Sequence, residues 1–438
     1  MKFSRFNIWA QRSGELILFN TLSCALAVFD SESAEAVQRA LEQGNPSRTP
    51  TAFFEAMSED GYVVTDGCNE LEAIRMACAE RRAKTDEYSL CIVLTMLCNF
   101  DCFYCFEKHR NEQLSAEETV KVLSMFRQIC RSAKKVDVDW FGGEPLLAFE
   151  MLRDLNDQFM HIAKASGVTF GHSITTNGFG LTDAIIEYLS HTPLTVITIT
   201  LDGPSDTHDL SRPLRSGGPT FRRILDNVKR AVARGLKVSI RINMTKENTH
   251  RILDLFHLLE QEGLKNRVEM NIQAVVSSSS HPCEAVCLPP KEFAFCAMEI
   301  YLQAAREGWI VLPPTERMRA LGFCVGEYPS RLITDLKGYL YRCGQMFEGD
   351  NVGYIRDDGS IELDPRKNDR WINKDPLQWG ECRSCPLLPM CMGGCNLKRY
   401  HLPQSDHCLD WKHCLPAFLE TLVLNEQNIL TNGGATTV

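Results

Sequence analysis

The chain has 438 residues, which is enough for two or three domains with a large core. It carries 47 basic and 56 acidic residues, and this net charge of −9 argues against a partner bound through nucleic-acid phosphates. No apolar run is long enough to span a membrane, and the start MKFSRFNIWAQRSGE lacks the apolar core of a secretory signal. These features predict a cytoplasmic protein with no membrane partner.

The chain contains nineteen cysteines, many for a reducing compartment. They are too dilute for a disulfide scaffold, which in short secreted chains usually exceeds roughly 8–10% cysteine. Metal ligation is therefore the expected use of many of them.

Residues 4–30 alternate apolar and polar positions in short runs, which predicts small strands. Helical patterns follow in SAEAVQRALEQ and TAFFEAMSEDG, and a polar helix is expected at roughly residues 70–81. Strands followed by helices resemble the winged-helix recognition elements of peptide-modifying systems, such as the pyrroloquinoline quinone carrier protein. There a leader peptide adds a strand to the sheet edge. The alternative is that residues 1–85 only pack on a catalytic domain.

Three cysteines, Cys98, Cys102 and Cys105, follow the apolar run YSLCIVLTML with the spacing C-x3-C-x2-C. Three thiolates can hold three irons of a [4Fe-4S] cube and leave the fourth iron without a protein ligand. Zinc is the competitor, but structural zinc needs four protein ligands, and only His109 is close in the sequence. Buried free thiols are a third interpretation.

From about residue 88 to residue 276, strand-like and helix-like patterns alternate. The candidate strands are Ser89–Leu97, Val136–Phe141, Val168–Thr175, Val196–Leu201, Lys237–Asn243 and Val268–Ala274. This alternation predicts a parallel sheet with helices outside. In parallel α/β folds the active site lies at the carboxyl ends of the strands, where the three cysteines fall.

The cysteine loop, including Tyr104 before its third cysteine, resembles the signature of the radical S-adenosylmethionine (SAM) superfamily. The resemblance implies a partial (β/α)6 barrel over residues 86–310. It also implies that SAM chelates the open iron through its amino and carboxylate groups. An electron from the cluster would cleave SAM to a 5′-deoxyadenosyl radical, which abstracts a substrate hydrogen. An external reductant such as flavodoxin or ferredoxin would supply that electron.

Motifs after later strands fit the same resemblance. FGGEPLL contains Gly142 and Gly143, which allow close backbone approach to a ligand, and Glu144, which in the family binds the SAM amino group. An acidic turn at a helix start is the alternative. Candidates for ribose or methionine contacts are Ser173, Thr175 and Asn177 in SITTNG and Asp202 in ITLDGP.

One arginine extends this set. In the fifth strand, IRINMT, Arg241 and Asn243 point to one face, and the family commonly places such an arginine near the SAM carboxylate. An ion pair between Arg241 and a barrel carboxylate is the alternative. His208 and Arg212, which follow the fourth strand, are also typical of the family.

A second cysteine array lies in residues 311–438. Its first part is Cys324, thirteen residues, Gly338, four residues and Cys343, and its second part is C-x2-C-x5-C-x3-C with later cysteines. The members of the second part are Cys382, Cys385, Cys391, Cys395, Cys408 and Cys414. This spacing resembles the SPASM extension of peptide-modifying radical SAM enzymes, and a zinc ribbon is the alternative.

The resemblance implies two auxiliary [4Fe-4S] clusters. One would be held by Cys382, Cys385, Cys391 and a late cysteine, preferably Cys408 because of its CLDWK context, with Cys414 as the alternative. The other would take Cys324, Cys343 and Cys395, and its fourth ligand is not evident. Cys414, Cys283 or Cys287 would complete this set, or the iron is open and able to bind a substrate thiolate.

The sequence thus predicts an α/β protein. It has a winged-helix-like α+β domain at residues 1–85, a partial radical SAM barrel at 86–310 and a SPASM domain at 311–438. The function expected from the resemblance is oxidative modification, such as crosslinking, of a ribosomally made precursor peptide with a leader sequence. Auxiliary clusters would accept the electron left after hydrogen abstraction. The alternatives are a sulfatase-maturing, formylglycine-generating enzyme and a non-catalytic iron–sulfur electron carrier, which would need no SAM pocket.

Overall fold

The computed structural model describes residues 1–277, 283–311, 321, 324–346, 349–401 and 407–432. Two units emerge from the packing. The first unit comprises residues 1–83, 289–324 and 374–438, and the second comprises 84–288 and 325–373. Each unit thus combines stretches that are far apart in the chain. The three contiguous domains expected from the sequence stay a prediction.

The secondary structure is mixed. The strands are β1 Lys2–Phe3, β2 Asn7–Arg12, β3 Glu15–Asn20, β4 Leu26–Phe29, β5 Val63–Val64, β6 Glu87–Thr95, β7 Lys135–Gly142, β8 Thr169–Thr176, β9 Leu194–Thr200, β10 Val238–Met244, β11 Glu269–Ala274, β12 Arg331–Thr334, β13 Tyr339–Tyr341, β14 Gly353–Ile355 and β15 Ile361–Leu363. The helices are α1 Ser31–Glu42, α2 Thr51–Glu59, α3 Glu70–Ala83, α4 Ala116–Ile129, α5 Phe149–Ser166, α6 Asp183–Ser190, α7 Ser205–Ser211, α8 Phe221–Ala233, α9 Ile252–Gln261, α10 Pro290–Arg306, α11 Pro365–Ile372, α12 Gly380–Arg383, α13 Leu388–Cys391, α14 Asn396–His401 and α15 Leu415–Thr431.

A ten-stranded sheet forms the second unit, in the order β11-β10-β9-β8-β7-β6-β12-β13-β14-β15. The six strands from β6 to β11 are all parallel to their neighbours. Each of them overlaps a strand that the sequence predicts, and the expected central parallel sheet is confirmed.

Burial on both faces explains why β6 reads as a continuous apolar run rather than an alternating one, since residues 90–95 are all buried. Ser115 caps the start of helix α4, with its Oγ accepting a hydrogen bond from Glu118 N at 3.1 Å. Phe126 of α4 stacks on Phe159 of α5 with ring centroids 3.9 Å apart, so that the two helices share a core against the sheet.

Four more strands extend this sheet beyond β6. Strand β12 is parallel to β6, with Ile333 opposite Cys91, and β13 to β15 follow as antiparallel hairpins. The carboxyl end of β12 therefore lies at the same edge of the sheet as the carboxyl end of β6.

In the first unit, β2, β3 and β4 form an antiparallel sheet with β3 in the middle, and α1 to α3 follow it in the chain. Its core includes Leu16, Leu18, Val37, Met57 and Tyr62. The order of strands and helices agrees with the sequence, whereas the recognition role stays a prediction. Within the described residues, every helix is too short or too polar to cross a bilayer.

Candidate active site and a second cysteine group

The three-cysteine loop begins where β6 ends, at the carboxyl edge of the parallel sheet. The chain returns beside β6, because Leu114 N donates to Leu94 O at 2.9 Å and Met96 N donates to Glu112 O at 2.9 Å. The base of the loop is therefore clamped. Within it, Cys105 N donates to Cys102 O at 3.1 Å.

Burial makes the three thiols hard to ionise. It raises the pKa of Cys98 and of Cys105 to about 12, and each of these two thiols also feels the charge of Cys102. Burial raises the pKa of Cys102 as well, and the nearby Arg212 opposes that rise. Thiolates here need a strong positive partner, which iron provides when it displaces the thiol protons.

No group of three or more Cys, His, Asp or Glu side chains in the described part of the chain is arranged to hold a single metal ion. A four-iron cube is larger than one ion, and its cysteine ligands stand around it rather than at a point. Two buried polar atoms near the loop, Glu107 Oε1 and Arg212 Nε, also have no hydrogen-bond partner among the described residues. The loop thus fits a cluster with a further bound group beside it.

The glycines after β7 bring its end against the cysteine loop. Gly143 N donates to Thr95 O at 2.9 Å and Glu144 N donates to Leu97 O at 2.7 Å. A Cβ on Gly143 would stand 2.4 Å from Leu97 O, and Gly142 has a φ of 131°. These glycines thus pack closely on the backbone that leads into the loop, and their approach to a ligand stays a prediction.

Glu144 is buried, and protein donors already hold its carboxylate. It accepts hydrogen bonds from Leu146 N at 2.9 Å, Thr176 Oγ1 at 2.6 Å and Asn177 N at 2.6 Å. Burial raises the pKa of Glu144 and these donors oppose the rise. Since a carboxylate offers about four acceptor sites, room is left for one more donor, and the SAM ammonium stays its predicted occupant.

Of the other predicted contacts on β8, Ser173 Oγ donates to Asp139 Oδ1 at 2.8 Å, and Thr175 is half-buried on the same face. Asn177 uses its side chain to fix the cysteine loop, with Nδ2 donating to Asn99 Oδ1 at 2.8 Å. Their contacts with SAM stay predictions.

Tyr104, Asp202 and Arg241 meet in one hydrogen-bonded network. Asp202 is fully buried, accepts from the Tyr104 hydroxyl and accepts from Asn243 N at 2.8 Å. Asn243 Nδ2 donates to Tyr104 Oη at 3.1 Å, and Arg241 Nε donates to Asn243 Oδ1 at 3.0 Å. Arg241 thus reaches the Asp202 carboxylate through Asn243.

Two charged residues without a role in the sequence prediction join this site. Arg212 Nη1 donates to Tyr104 Oη at 2.7 Å. Glu107 follows the third cysteine, and burial, reinforced by Glu144, raises its pKa to about 7. In the sequence, the only signal that Glu107 belongs to the site is its position two residues after Cys105. The sequence does not show that its carboxylate oxygen is buried.

A second cysteine group lies in the first unit. Cys382, Cys385, Cys391 and Cys408 line one cavity of about 180 Å³. Burial raises the pKa of Cys382 to about 11, with Cys391 as the next cause, and Lys412 Nζ donates to Cys408 Sγ at 3.3 Å. Cys414, the alternative late ligand, is buried and precedes α15, outside the lining of this cavity.

Three predicted ligands lie outside the lining of this cavity. Cys324 and Cys395 belong to the first unit and Cys343 to the second, and all three are partly buried. Their common cluster stays a prediction. Cys283 and Cys287 contact each other, with the sulfurs 3.4 Å apart.

Comparison with known proteins identifies the central domain. A profile of the radical SAM superfamily matches residues 92–259, from β6 to α9. The radical SAM cyclopropyl synthase TigE of Paramaledivibacter caminithermalis is 28% identical over 170 residues, which cover 34% of this chain and only 35% of TigE. The cysteine-type anaerobic sulfatase-maturating enzyme of Clostridium perfringens is 23% identical over 368 residues, which cover 76% of this chain and 96% of that enzyme.

Solved structures share the fold. The structure of anSMEcpe with bound AdoMet and Cp18Cys peptide superposes with a TM-score of 0.62 at 17% identity, over 79% of this chain and 99% of that one. Streptococcus suis SuiB bound to precursor peptide SuiA superposes with a TM-score of 0.52 at 16% identity, over 93% of this chain and 99% of that one. Residues 92–259 of the chain thus form a radical SAM domain.

Proposed function

We propose that this enzyme is a SPASM-type maturase that oxidatively modifies, for example by crosslinking, a ribosomally made precursor peptide. The observation that carries the proposal is the cavity lined by Cys382, Cys385, Cys391 and Cys408, whose lining includes no residue of the three-cysteine loop. A two-electron oxidation of a peptide leaves one electron to be removed after the first hydrogen atom has been abstracted. A second iron–sulfur site gives the protein a redox centre suited to them.

The barrel residues would prepare the first step. Cys98, Cys102 and Cys105 would hold a [4Fe-4S] cluster that, with SAM, supplies a 5′-deoxyadenosyl radical. Glu144, fixed by three donors, would accept the SAM ammonium. The network around Asp202 would hold Tyr104 of the cysteine loop in place, and the apolar core beneath the site would exclude water. A flavodoxin or ferredoxin would be the external reductant.

The sheet of β2, β3 and β4 would bind the leader of the precursor. Among the described residues β4 pairs with β3 alone, so its other edge has no strand partner and would accept a further strand. Val28 on β4 is 44% exposed. SuiB, whose fold this chain shares, was solved with a precursor peptide, which supports a peptide partner here.

Sulfatase maturation is the second candidate. It is favoured by the match to the anaerobic sulfatase-maturating enzyme, which spans 96% of that protein. The sheet β2-β3-β4 with its open edge favours the precursor-peptide function, because an extended leader is a natural occupant of such an edge.

Anaerobic incubation with SAM and dithionite tests the enzyme activity. We expect release of 5′-deoxyadenosine by the wild-type chain, and none by a variant with Cys98, Cys102 and Cys105 changed to Ala. Equal amounts from the two proteins would contradict the proposal, and none from a fully iron-loaded wild type would favour an electron carrier.

Mass spectrometry of the products then distinguishes the two candidate functions. A precursor peptide should lose two hydrogens per crosslink only with its leader present. Conversion of a leaderless sulfatase peptide from Cys to formylglycine would instead support sulfatase maturation.

A further inference from the structure

Arg212 lies on a segment that runs along the three-cysteine loop. Asp101 N donates to Pro213 O at 3.0 Å, and Arg215 N donates to Asn99 O at 2.9 Å, so that residues 213–215 lie antiparallel to residues 99–101. Arg215 Nε adds a hydrogen bond to Phe100 O at 3.2 Å. This segment therefore fixes the position of Arg212 relative to the cysteines.

The guanidinium of Arg212 is buried and only partly hydrogen-bonded. The residue is 7% exposed, its Nη1 donates to Tyr104 Oη at 2.7 Å, and its Cζ lies 5.6 Å from the centre of the Phe100 ring. Its Nε is buried without an acceptor among the described residues. A buried donor without a partner is costly, which indicates that an acceptor belongs in the space beside it.

Several charged groups face Arg212, and their balance matters. Asp202 is the nearest carboxylate in the network, but the Tyr104 hydroxyl stands between it and Nη1. Arg212 lowers the pKa of the Cys102 thiol more than Asp202 raises it. Arg212 also lowers the pKa of Cys98 and of Glu144. Arg212 is thus the positive charge that acts on the thiols of Cys98 and Cys102.

His208 is a further basic group nearby, besides Arg241 of the same network, and it carries no charge here. Its Nδ1 accepts from Asp202 N at 3.2 Å and its Nε2 lies 3.1 Å from Thr220 Oγ1. Burial, followed by the charge of Arg212, lowers the pKa of His208 well below its ordinary value.

We propose that Arg212 is a positioning residue whose buried charge raises the reduction potential of the iron–sulfur cluster at Cys98, Cys102 and Cys105. The inference rests on the proposed function, because it needs that cluster. Reduction adds one negative charge to the cluster, and a fixed cation in a poorly solvated site stabilises the reduced form. Since exposed charges are screened by water, Arg215, which holds the same loop from an exposed position, should have a much smaller effect.

The test is a redox titration of the iron-loaded enzyme, followed by EPR. The signal of interest is the one that disappears when Cys98, Cys102 and Cys105 are changed to Ala. At a fixed potential, R212Q should lower the ratio of reduced to oxidised cluster about tenfold, which equals a fall of about 59 mV for one electron. R212K keeps the charge and should titrate like the wild type, as should the matched control R215Q.

A merely structural role for Arg212 predicts a different pattern. The inference is overturned if R212Q titrates like the wild type, if R212K shifts as far as R212Q, or if R215Q does so. Should R212Q fail to bind iron, R212K decides: a wild-type potential supports the inference, and a shifted potential or loss of iron overturns it. If the triple cysteine variant loses no signal, the proposed function fails instead.

Discussion

Cys408 and Cys414 show how two nearby thiols of the same chain differ in what they can bind. Cys408 lines the cavity shared with three other cysteines, and the Lys412 ammonium donates to its sulfur at 3.3 Å. Cys414 is 4% exposed, and burial raises its pKa. Its backbone N–H donates to Trp411 O at 2.9 Å, at the start of α15. A cation beside a thiolate stabilises it, whereas an apolar surrounding does not.

We therefore expect Cys408→Ser to lose iron from the second cysteine group and Cys414→Ser to retain it. Iron analysis and Mössbauer spectroscopy of the reconstituted proteins measure the difference. In Cys408→Ser about four irons should be missing, if this site holds a four-iron cube. The reverse result would make Cys414 the ligand, and full iron in both variants would refute a role for either.

His172 on β8 gives the stability of the second unit a dependence on pH. The residue is 1% exposed, its Nε2 lies 2.8 Å from Thr192 Oγ1 and its Nδ1 has no partner among the described residues. Burial lowers the pKa of His172 to about 4, against about 6.5 in an unfolded chain. Between these values only the unfolded chain binds the proton, so the free energy of unfolding falls as pH drops, by up to roughly 3 kcal/mol.

Thermal melts at about pH 7 and about pH 5 test this linkage. The Tm of the wild type should fall more steeply with pH than that of His172→Gln, which has no proton to take up. His191→Gln is the control, because the His191 side chain is 72% exposed, and it should melt with the wild-type slope. If Tm falls equally with pH in the wild type and in His172→Gln, this histidine does not govern the loss of stability at low pH.

At the scale of single elements, the open edge of β4 presents particular backbone groups. Asn20 N donates to Ala25 O at 3.0 Å, and the register pairs Leu18 with Ala27 and Ile17 with Val28. Hydrogen-bonded and non-hydrogen-bonded pairs alternate along an antiparallel ladder. The N–H of Val28 therefore points away from β3, toward the edge where a leader strand would bind.

Val28→Pro should weaken binding of the precursor peptide while leaving the small sheet intact. Proline removes an N–H that the ladder does not use, and proline is tolerated on edge strands. Loss of one hydrogen bond of about 1 kcal/mol lowers affinity roughly fivefold, and the ring also obstructs the added strand. Fluorescence anisotropy with labelled precursor measures the effect.

Val28→Thr is the matched variant, since it keeps both the β-branched shape and the backbone N–H. It should bind the precursor with wild-type affinity, and SAM cleavage without peptide should be the same in both variants. If Val28→Pro binds the precursor as tightly as Val28→Thr, the leader docks elsewhere.

Local patterns predicted the parallel strands well because each carries its own signal. The buried run of β6 and the helix cap at Ser115 both depend on neighbours in the chain. By contrast, β12 pairs with β6 across more than 200 residues, and nothing in RLIT identifies that partner. The same limit applies to the site: the cysteine spacing is local, whereas the contact between Arg212 and Tyr104 joins residues that are 108 positions apart.

At the scale of the whole molecule, the cysteines fall into separate groups within each unit. The loop with Cys98, Cys102 and Cys105 belongs to the second unit, and the cavity with Cys382, Cys385, Cys391 and Cys408 belongs to the first. Each group has its own backbone framework, with β6 and its return segment around the loop and short helices around the cavity. Loss of one metal site should therefore leave the other able to form.

Iron removal by mutation tests this independence. A chain with three four-iron clusters holds about twelve irons, so changing Cys98, Cys102 and Cys105 to Ala should leave about eight and abolish SAM cleavage. Changing Cys382, Cys385 and Cys391 to Ala should also leave about eight, yet preserve 5′-deoxyadenosine formation while stopping peptide oxidation. Iron analysis and product chromatography on the same samples give both readouts. Near-zero iron in the first variant would contradict this independence. It would show that the later cysteines hold no cluster when Cys98, Cys102 and Cys105 are absent.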